Sequence, residues 1–268
     1  MYQVQRRLRS QNFIIDRELV NRLIRASSIS SSDLVLDIGA GRGVITRGLL
    51  SVARQVIAIE LDLRLFNKLK LKFWLTPHLQ LIHTDFLRYP LPTRPYKVFA
   101  NIPFSITGDI IRRLLMSSRP PADCCLVVQA EAAAKFVTHQ GRNTLAAILY
   151  YPFWDIRVVH RFAKVDFRPI PAVDCVLLRL SPRATPFLPR SSQSLYWDFV
   201  AYTFTHDRFA SFVSPSRWLQ LFNRFQKTSP PSRFLPIQGT FARLQSEQSH
   251  LTKIHRTRTD PRWPKFTA

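Results

Sequence analysis

Short apolar runs rich in Val, Ile and Leu alternate with helical patterns from about residue 12 to residue 180. This alternation is typical of βαβ units, because consecutive parallel strands must be joined by a crossover. It predicts an α/β fold with a mostly parallel sheet. Five parallel strands are expected near Leu34–Ile38, Gln55–Glu60, Leu79–His83, Lys97–Ala100 and Cys124–Gln129, and a closing antiparallel pair near Ile156–His160 and Val173–Leu180.

A glycine-rich turn, Asp37-Ile38-Gly39-Ala40-Gly41-Arg42-Gly43, follows the first of these strands. Glycines at this point let backbone N–H groups approach a ligand at the carboxyl end of the strand. A tight turn without a ligand is the alternative, since isolated glycine patterns often match by chance. Asp37 is expected either to brace this turn or to balance a positive charge on a ligand.

Two acidic residues after the next strands favour a nucleoside-containing cofactor. Glu60 ends the second strand, where a carboxylate can accept hydrogen bonds from ribose hydroxyls. Asp85 follows the third strand and can accept a hydrogen bond from an adenine amino group, with Phe86 supporting the ring. Nicotinamide enzymes do not generally need this second acid, and their Gly-x-Gly-x-x-Gly pattern differs from residues 39–43. The pattern therefore predicts S-adenosylmethionine rather than NAD.

The loop Asn101-Ile102-Pro103-Phe104 directly follows the fourth strand. The lone pair of an adenine amino group is delocalised into the ring, so methyl transfer to N6 becomes easier when acceptors draw the amino hydrogens out of plane. The carboxamide oxygen of Asn101 and the carbonyl of Ile102 are the expected acceptors. Pro103 restricts the loop backbone, and Phe104 offers a face for stacking on a base. A strand-terminating turn with a buried aromatic is the structural alternative.

The chain carries 39 Lys and Arg against 17 Asp and Glu, a formal charge of +22. Such a surplus favours a phosphate-rich partner. No apolar run reaches the length of a membrane span, so we expect a cytoplasmic protein without a membrane partner. The candidate phosphate contacts, each with a solvated surface as its alternative, are Arg112 and Arg113 after the catalytic loop and Arg6, Arg7 and Arg9 near the start.

The composition changes after Leu180, where prolines and serines indicate a linker. We expect a catalytic domain over residues 1–181, a helical RNA-binding domain over 182–227, and a basic Pro- and Ser-containing tail over 228–268 that is partly disordered. Cys124, Cys125 and Cys175 lack the spacing of zinc ligands and predict buried packing, so no metal is expected.

Taken together, the ordered motifs resemble the ribosomal RNA adenine N6-methyltransferases. The resemblance covers about residues 11–225 and implies a Rossmann-like S-adenosylmethionine-dependent methyltransferase fold with a mostly parallel seven-stranded sheet and a small helical C-terminal domain. Besides the glycine turn and the catalytic loop, the matching segments are Gln11-Asn12-Phe13, Ile59-Glu60-Leu61-Asp62, Asp85-Phe86, Gln129-Ala130-Glu131 and Phe167-Arg168-Pro169-Ile170-Pro171-Ala172-Val173.

The same resemblance implies roles for individual residues. Phe167 is implied to face the target adenine from the side opposite Phe104, with core packing as the alternative and Phe162 as a weaker substitute. The implied cofactor contacts are Asn12 and Ile14 on the methionine side, Gly39 and Gly41 at the turn, Glu60 at the ribose and Asp85 at the adenine.

Ile102 and Phe104 favour the Erm branch of the resembled family over the branch that acts on small-subunit RNA. The implied activity is methyl transfer to N6 of one adenine in the peptidyl-transferase region of 23S rRNA, unassembled or partly assembled. The enzyme is expected to be a monomer, and macrolide-type resistance is the expected consequence. A small-subunit dimethyltransferase and a nucleic-acid-binding relative without catalysis are the alternatives, and one or two added methyl groups both fit the sequence.

Overall fold

The computed structural model describes residues 12–228, 230 and 234–250, without the side chains of 249 and 250. The described residues fall into two compact units. The first unit contains the described residues up to Val137 together with Trp154–Ala184, and the second contains Thr138–Phe153 together with the described residues from Thr185 onward.

The first unit is built on a seven-stranded sheet, whose strands are β2 Leu34–Ile38, β3 Gln55–Glu60, β4 Leu79–His83, β5 Lys97–Asn101, β6 Asp123–Gln129, β7 Trp154–Arg161 and β9 Cys175–Pro182. The strand order is β4-β3-β2-β5-β6-β9-β7. Strands β2 to β6 are mutually parallel, whereas β9 runs antiparallel to both β6 and β7. This arrangement confirms the predicted mostly parallel sheet with a closing antiparallel pair.

A second, two-stranded sheet pairs β1, Phe13–Ile14, with β8, Phe167–Arg168, in antiparallel register. Five helices complete the unit: α1 Arg17–Arg25, α2 Val44–Leu50, α3 Leu63–Lys72, α4 Thr107–Leu115 and α5 Ala130–Ala134. Acidic residues begin two of them, since Asp16 accepts from Leu19 N–H in α1 and Asp62 accepts from Arg64 N–H in α3. One hydrophobic core joins α1, α2 and the central strands.

The strand order reverses at the centre of the sheet. After β2 the chain proceeds through β3 to the edge strand β4, then returns to place β5 on the other side of β2. Val35 of β2 lies beside Lys97 of β5, and Leu36 beside Val98. Open α/β sheets bind ligands outside the carboxyl ends of the strands at such a reversal. The loops that follow β2 and β5 are therefore the positions from which a site is expected to be built.

The second unit is helical, with α6 Leu145–Tyr150, α7 Gln193–His206, α8 Pro215–Thr228 and α9 Thr240–His250. Aromatic side chains fill its core, where the buried ring of Tyr196 packs edge-on against Phe222 at 5.1 Å between centroids. None of the helices in the described residues of either unit is long and apolar enough to cross a membrane.

Two segments differ from the predicted domain division. Residues Thr138–Phe153 belong to the helical unit, because the Tyr196 hydroxyl and the Trp197 indole donate to the carbonyls of Ile148 and Leu149. Helix α9 lies within the tail that was expected to be partly disordered. Asp198 anchors the start of α9, since its carboxylate accepts hydrogen bonds from Gly239 N–H and Phe241 N–H. Residues 251–268 lie outside the described residues.

Candidate active site

The glycine turn follows β2 at the strand-order reversal. Gly39, Gly41 and Gly43 all have positive φ, at 74°, 58° and 72°, which is a conformation that residues with a β-carbon rarely adopt. A β-carbon at Gly41 would lie 2.8 Å from the Phe13 ring, so strand β1 closes directly over the turn. The Arg42 guanidinium covers the same ring at 4.9 Å from its centroid. Glycine at position 41 is therefore required both by backbone conformation and by space.

Glu60, at the end of β3, holds the glycine turn from the neighbouring strand. Its buried carboxylate accepts hydrogen bonds from Gly41 N–H at 2.7 Å and from Leu61 N–H and Asp62 N–H at 2.9 Å each. Burial raises the pKa of Glu60, and the three N–H donors oppose that shift. A carboxylate has about four acceptor positions, so acceptor capacity remains for the predicted ribose contact.

Asp37 lies in β2 beneath the turn and is almost completely buried. The Thr46 hydroxyl donates to Asp37 Oδ2 at 2.6 Å. The other oxygen, Oδ1, is buried and has no hydrogen-bond partner among the described residues. Burial raises the pKa of Asp37 to about 7, and the nearby negative charge of Glu60 contributes in the same direction, while the Thr46 hydrogen bond opposes it. Buried carboxylate oxygens are normally paired, so Oδ1 is an acceptor in need of a donor.

The catalytic loop begins at Asn101, the last residue of β5. Asn101 Nδ2 donates to the carbonyl of Asn12 at 2.7 Å, which fixes the side-chain amide and leaves Oδ1 with acceptor capacity. Pro103 has φ −60° and ψ 121°, and the short 3₁₀ turn Phe104–Ile106 follows it. The β-carbon position of Gly39 lies 3.6 Å from Pro103 Cδ and 3.7 Å from the Asn101 carbonyl oxygen. The two predicted motifs are therefore in contact.

Asp85 and Phe86 lie in the loop that follows β4, and a residue of α4 holds this loop. Asp85 Oδ1 accepts a hydrogen bond from Leu87 N–H at 3.0 Å, and the Phe86 ring is buried. Arg113 places its guanidinium 5.8 Å from the Phe86 ring centroid and donates to the carbonyl of Tyr89. The structure thus gives Arg113 an inward bracing position, unlike the open phosphate contact that the sequence predicted.

Arg112, the other cation predicted to contact substrate, is half-exposed on α4 and pairs with Asp109 at 2.6 Å. A partly exposed ion pair of this kind is weak, so the guanidinium can exchange its carboxylate for a phosphate at little cost. The predicted contacts at Arg6, Arg7 and Arg9 lie outside the described residues.

Phe104 and Phe167 lie on the same core cluster, but they differ in exposure. Phe104 is partly buried against the cluster, whereas Phe167 is completely buried and packs edge-on against Phe162 at 5.4 Å between centroids. Phe167 also pairs with Ile14 in the β1–β8 ladder. The structure therefore places Phe167 inside the core, and facing an adenine would require it to leave that position.

The sequence did not identify the roles of two residues. Thr46 holds Asp37 through its hydroxyl, and Phe13 covers the glycine turn with its ring. Thr46 follows Asp37 by nine residues and reaches it only after the turn folds back. The three cysteines are buried as predicted. In the part of the chain that the structure describes, no group of three or more His, Cys, Asp or Glu residues is placed to hold a metal ion.

Comparison with known proteins agrees with this geometry. The family described as ribosomal RNA adenine dimethylase matches residues 3–210. An rRNA methyltransferase of Streptomyces thermotolerans is 35% identical over 200 residues, which cover 75% of this chain and 67% of that protein. An rRNA adenine N-6-methyltransferase of Bacteroides fragilis is 34% identical over 197 residues, or 73% of each chain.

Among solved structures, the 23S rRNA methyltransferase ErmE superposes with a TM-score of 0.72 at 27% identity, covering 80% of this chain and all of that one. Three observations point to the same family. They are the seven-stranded sheet, the contact between the glycine turn and the Asn101 loop, and the match of the family model over residues 3–210. The chain belongs to the ribosomal RNA adenine dimethylase family.

Proposed function

We propose that this enzyme transfers a methyl group from S-adenosylmethionine to N6 of one adenine in 23S rRNA, and that this modification confers macrolide-type resistance. The observation that carries the proposal is the Asn101 amide, which is fixed by the Asn12 carbonyl beside the glycine turn. The choice of large-subunit RNA is supported by the similarity to ErmE and by Ile102 and Phe104 in the catalytic loop.

The residues around the turn fit S-adenosylmethionine, which supplies a methyl group made electrophilic by a sulfonium centre. The unpaired buried Oδ1 of Asp37 suits a cationic group, and it would hold the ammonium or sulfonium end. Glu60 would accept from the ribose, Asp85 from the adenine amino group, and Phe86 would support the adenine ring. Gly39 and Gly41 keep the turn free of side chains, while Asn12 and Ile14 would line the methionine side.

The Asn101 loop would hold the target base by its amino group. Asn101 Oδ1 and the Ile102 carbonyl accept the two N6 hydrogens, which turns the nitrogen lone pair out of the ring plane. Phe104 stacks on the base and keeps it oriented. Once the nitrogen carries an additional bond, its proton is acidic enough to pass to solvent water, so no side chain with a specially tuned pKa is needed as a base.

The activity is tested with labelled S-adenosylmethionine and naked transcripts of 23S and 16S rRNA. We expect label in the 23S transcript alone, and primer extension should map it to one adenine. Methylation of paired adenines in 16S RNA instead would support the small-subunit branch. A folded protein that binds the cofactor and labels neither transcript would contradict catalysis. Expression in a susceptible bacterium should raise macrolide tolerance.

Cofactor affinity should increase with pH through about 7, the pKa to which burial raises Asp37. A bound cation favours the carboxylate, so binding below that pKa must release a proton, and affinity should change up to tenfold per pH unit there. Calorimetry in buffers of different ionisation enthalpy measures that proton. Asp37→Asn should bind more weakly and without this pH dependence, and a wild-type affinity that stays flat across neutral pH would contradict the assignment.

The same pKa shift predicts how the free protein responds to pH. Asp37 retains its proton in the folded state up to about pH 7, whereas the unfolded chain releases it near 3.8. The protonated carboxyl therefore stabilises the folded state by about 4 kcal/mol at pH values below the unfolded pKa. This stabilisation decreases as the pH rises and is lost once the pH passes the folded pKa of about 7. Denaturant unfolding of wild type and Asp37→Asn across this range measures the difference.

Binding to RNA should weaken steeply with salt, since the formal charge of +22 favours association by counterion release. If about six phosphates are contacted, affinity should fall by about 10³-fold between 50 and 200 mM salt. Filter binding of an unmodified 23S fragment measures this slope, with cofactor affinity as the salt-insensitive control. An RNA affinity that ignores ionic strength would exclude the phosphate contacts.

A further inference from the structure

Helix α3 and the turn that follows it carry a concentrated patch of exposed apolar side chains. Leu71, Trp74 and Leu75 are 78%, 76% and 72% exposed. The three other tryptophans in the described part of the chain, Trp154, Trp197 and Trp218, are all buried. Exposed apolar side chains that lie together mark interaction sites, whereas single scattered ones are common on protein surfaces.

The same segment is strongly basic. No Asp or Glu occurs between Leu63 and Thr84, whereas Arg64, Lys68, Lys70 and Lys72 are all exposed on α3. Lys72 donates to the carbonyl of Arg42, so this helix is tied to the glycine turn of the site. Lys68 and Lys70 flank the apolar residues. We call Lys68, Lys70, Leu71, Trp74 and Leu75 the Trp74 surface.

The charge of the chain decides what can cover this surface. Residues 1–11 contain three arginines and no acid, and residues 251–268 contain five Lys and Arg against one Asp. Either segment would therefore be repelled by the lysines, and so would a second copy of a chain with charge +22. The complementary occupant is a polyanion that also presents flat apolar faces. Single-stranded RNA has both properties.

We propose that the Trp74 surface is a second RNA contact, separate from the adenine pocket, at which Trp74 stacks on an unpaired base. Leu71 and Leu75 pack beside that base, while Lys68 and Lys70 contact the flanking phosphates. The inference rests on the proposed RNA substrate, and it adds a contact that the catalytic loop does not provide. An RNA held here lies beside the helix that is tied to the glycine turn through Lys72.

The first test compares Trp74→Ala and Trp74→Phe in the full-length protein with a 23S fragment that wild type methylates. Loss of one base stack should weaken RNA binding about 5- to 150-fold in Trp74→Ala, and Trp74→Phe should restore most of it. KM for RNA should rise with little change in kcat at saturating RNA, and S-adenosylmethionine affinity should stay unchanged. Val159→Ala, on the opposite edge strand β7, is the apolar control.

The second test concerns the lysines. Lys68→Ala combined with Lys70→Ala should reduce the slope of log affinity against log salt by about 1.4, the value for two phosphate contacts on a single strand. Arg157→Ala combined with Arg161→Ala removes two exposed charges from β7, the edge strand opposite β4. If the control variant showed an equal decrease in the slope of log affinity against log salt, the phosphate contacts of Lys68 and Lys70 would be excluded.

Three results overturn the proposal. The first is wild-type RNA affinity in Trp74→Ala, and the second is a loss in that variant that Trp74→Phe does not restore. The third is tight binding of wild type to phosphatidylserine vesicles that disappears in Trp74→Ala while RNA binding persists, which would assign the surface to a membrane. Wild-type methylation of RNA is measured in the same assay, so failure of the Trp74 surface is distinguished from failure of the proposed function.

Discussion

Asn101→Ala is expected to lower methyl transfer by about 10²–10³-fold, the size of effect produced when one preorganised hydrogen-bonding group is removed from an active site. The Asn101 amide is the group fixed by the Asn12 carbonyl, and its Oδ1 is the proposed acceptor for the N6 hydrogens. Because that acceptor acts on the reacting nitrogen, the loss should appear in the single-turnover rate. Affinities for cofactor and RNA should change much less.

Two further variants separate this role from a general loss of structure. Gln80→Ala removes an exposed carboxamide from the edge strand β4 and should retain wild-type activity. Asn101→Asp keeps acceptor oxygens but cannot donate to the Asn12 carbonyl, so it should stay far below wild type. A single-turnover rate within a few-fold of wild type in Asn101→Ala would remove the loop from the mechanism.

Gly41→Ala should nearly abolish cofactor binding and destabilise the fold. An alanine there must adopt φ near 58°, which costs about 1–2 kcal/mol. Its β-carbon would also lie 2.8 Å from the Phe13 ring, so either β1 or the turn must move. Movement of the turn breaks the hydrogen bond from Gly41 N–H to Glu60. We expect a total loss of about 2–4 kcal/mol in unfolding free energy, measured by denaturant titration.

Gly108→Ala is the matched control. A β-carbon at Gly108 meets nothing within 4 Å, and Gly108 lies in helix α4. Alanine is favoured over glycine in a helix by about 0.5–1 kcal/mol, so this variant should be neutral or more stable. The double variant Gly41→Ala with Phe13→Ala relieves the contact but keeps the backbone strain. If the losses of unfolding free energy in the two single variants simply added in the double variant, steric contact with Phe13 would be excluded as a cause of the destabilisation.

The sheet was predictable because each strand carries its own signal. Three strands, β2, β3 and β4, have the bounds predicted from the apolar runs, and β6 begins one residue earlier than predicted. β5 is one residue longer than predicted, because Asn101 itself pairs with Val127 of β6. The motif residues could be identified because they lie at or directly after the ends of these strands. The carboxyl ends of parallel strands lie together, so the motif residues are brought to one side of the sheet.

The remaining features depend on contacts between residues distant in sequence. Strands β1 and β8 have two residues each, which is too short for periodicity to detect. The inward position of Arg113 depends on Phe86 and Tyr89, and nothing in the local sequence distinguishes it from the half-exposed Arg112. Helix α9 likewise owes its place to Asp198, which is far from it along the chain.

The bond from Asn101 to Asn12 links activity to an element outside the catalytic loop. Its acceptor is a main-chain oxygen, so exchanging the side chain at position 12 leaves that acceptor in place. That oxygen is held where it is by the pairing of the neighbouring Phe13 with Arg168. Separation of β1 from β8 would therefore release the Asn101 amide and abolish methyl transfer, even though every catalytic side chain remained intact.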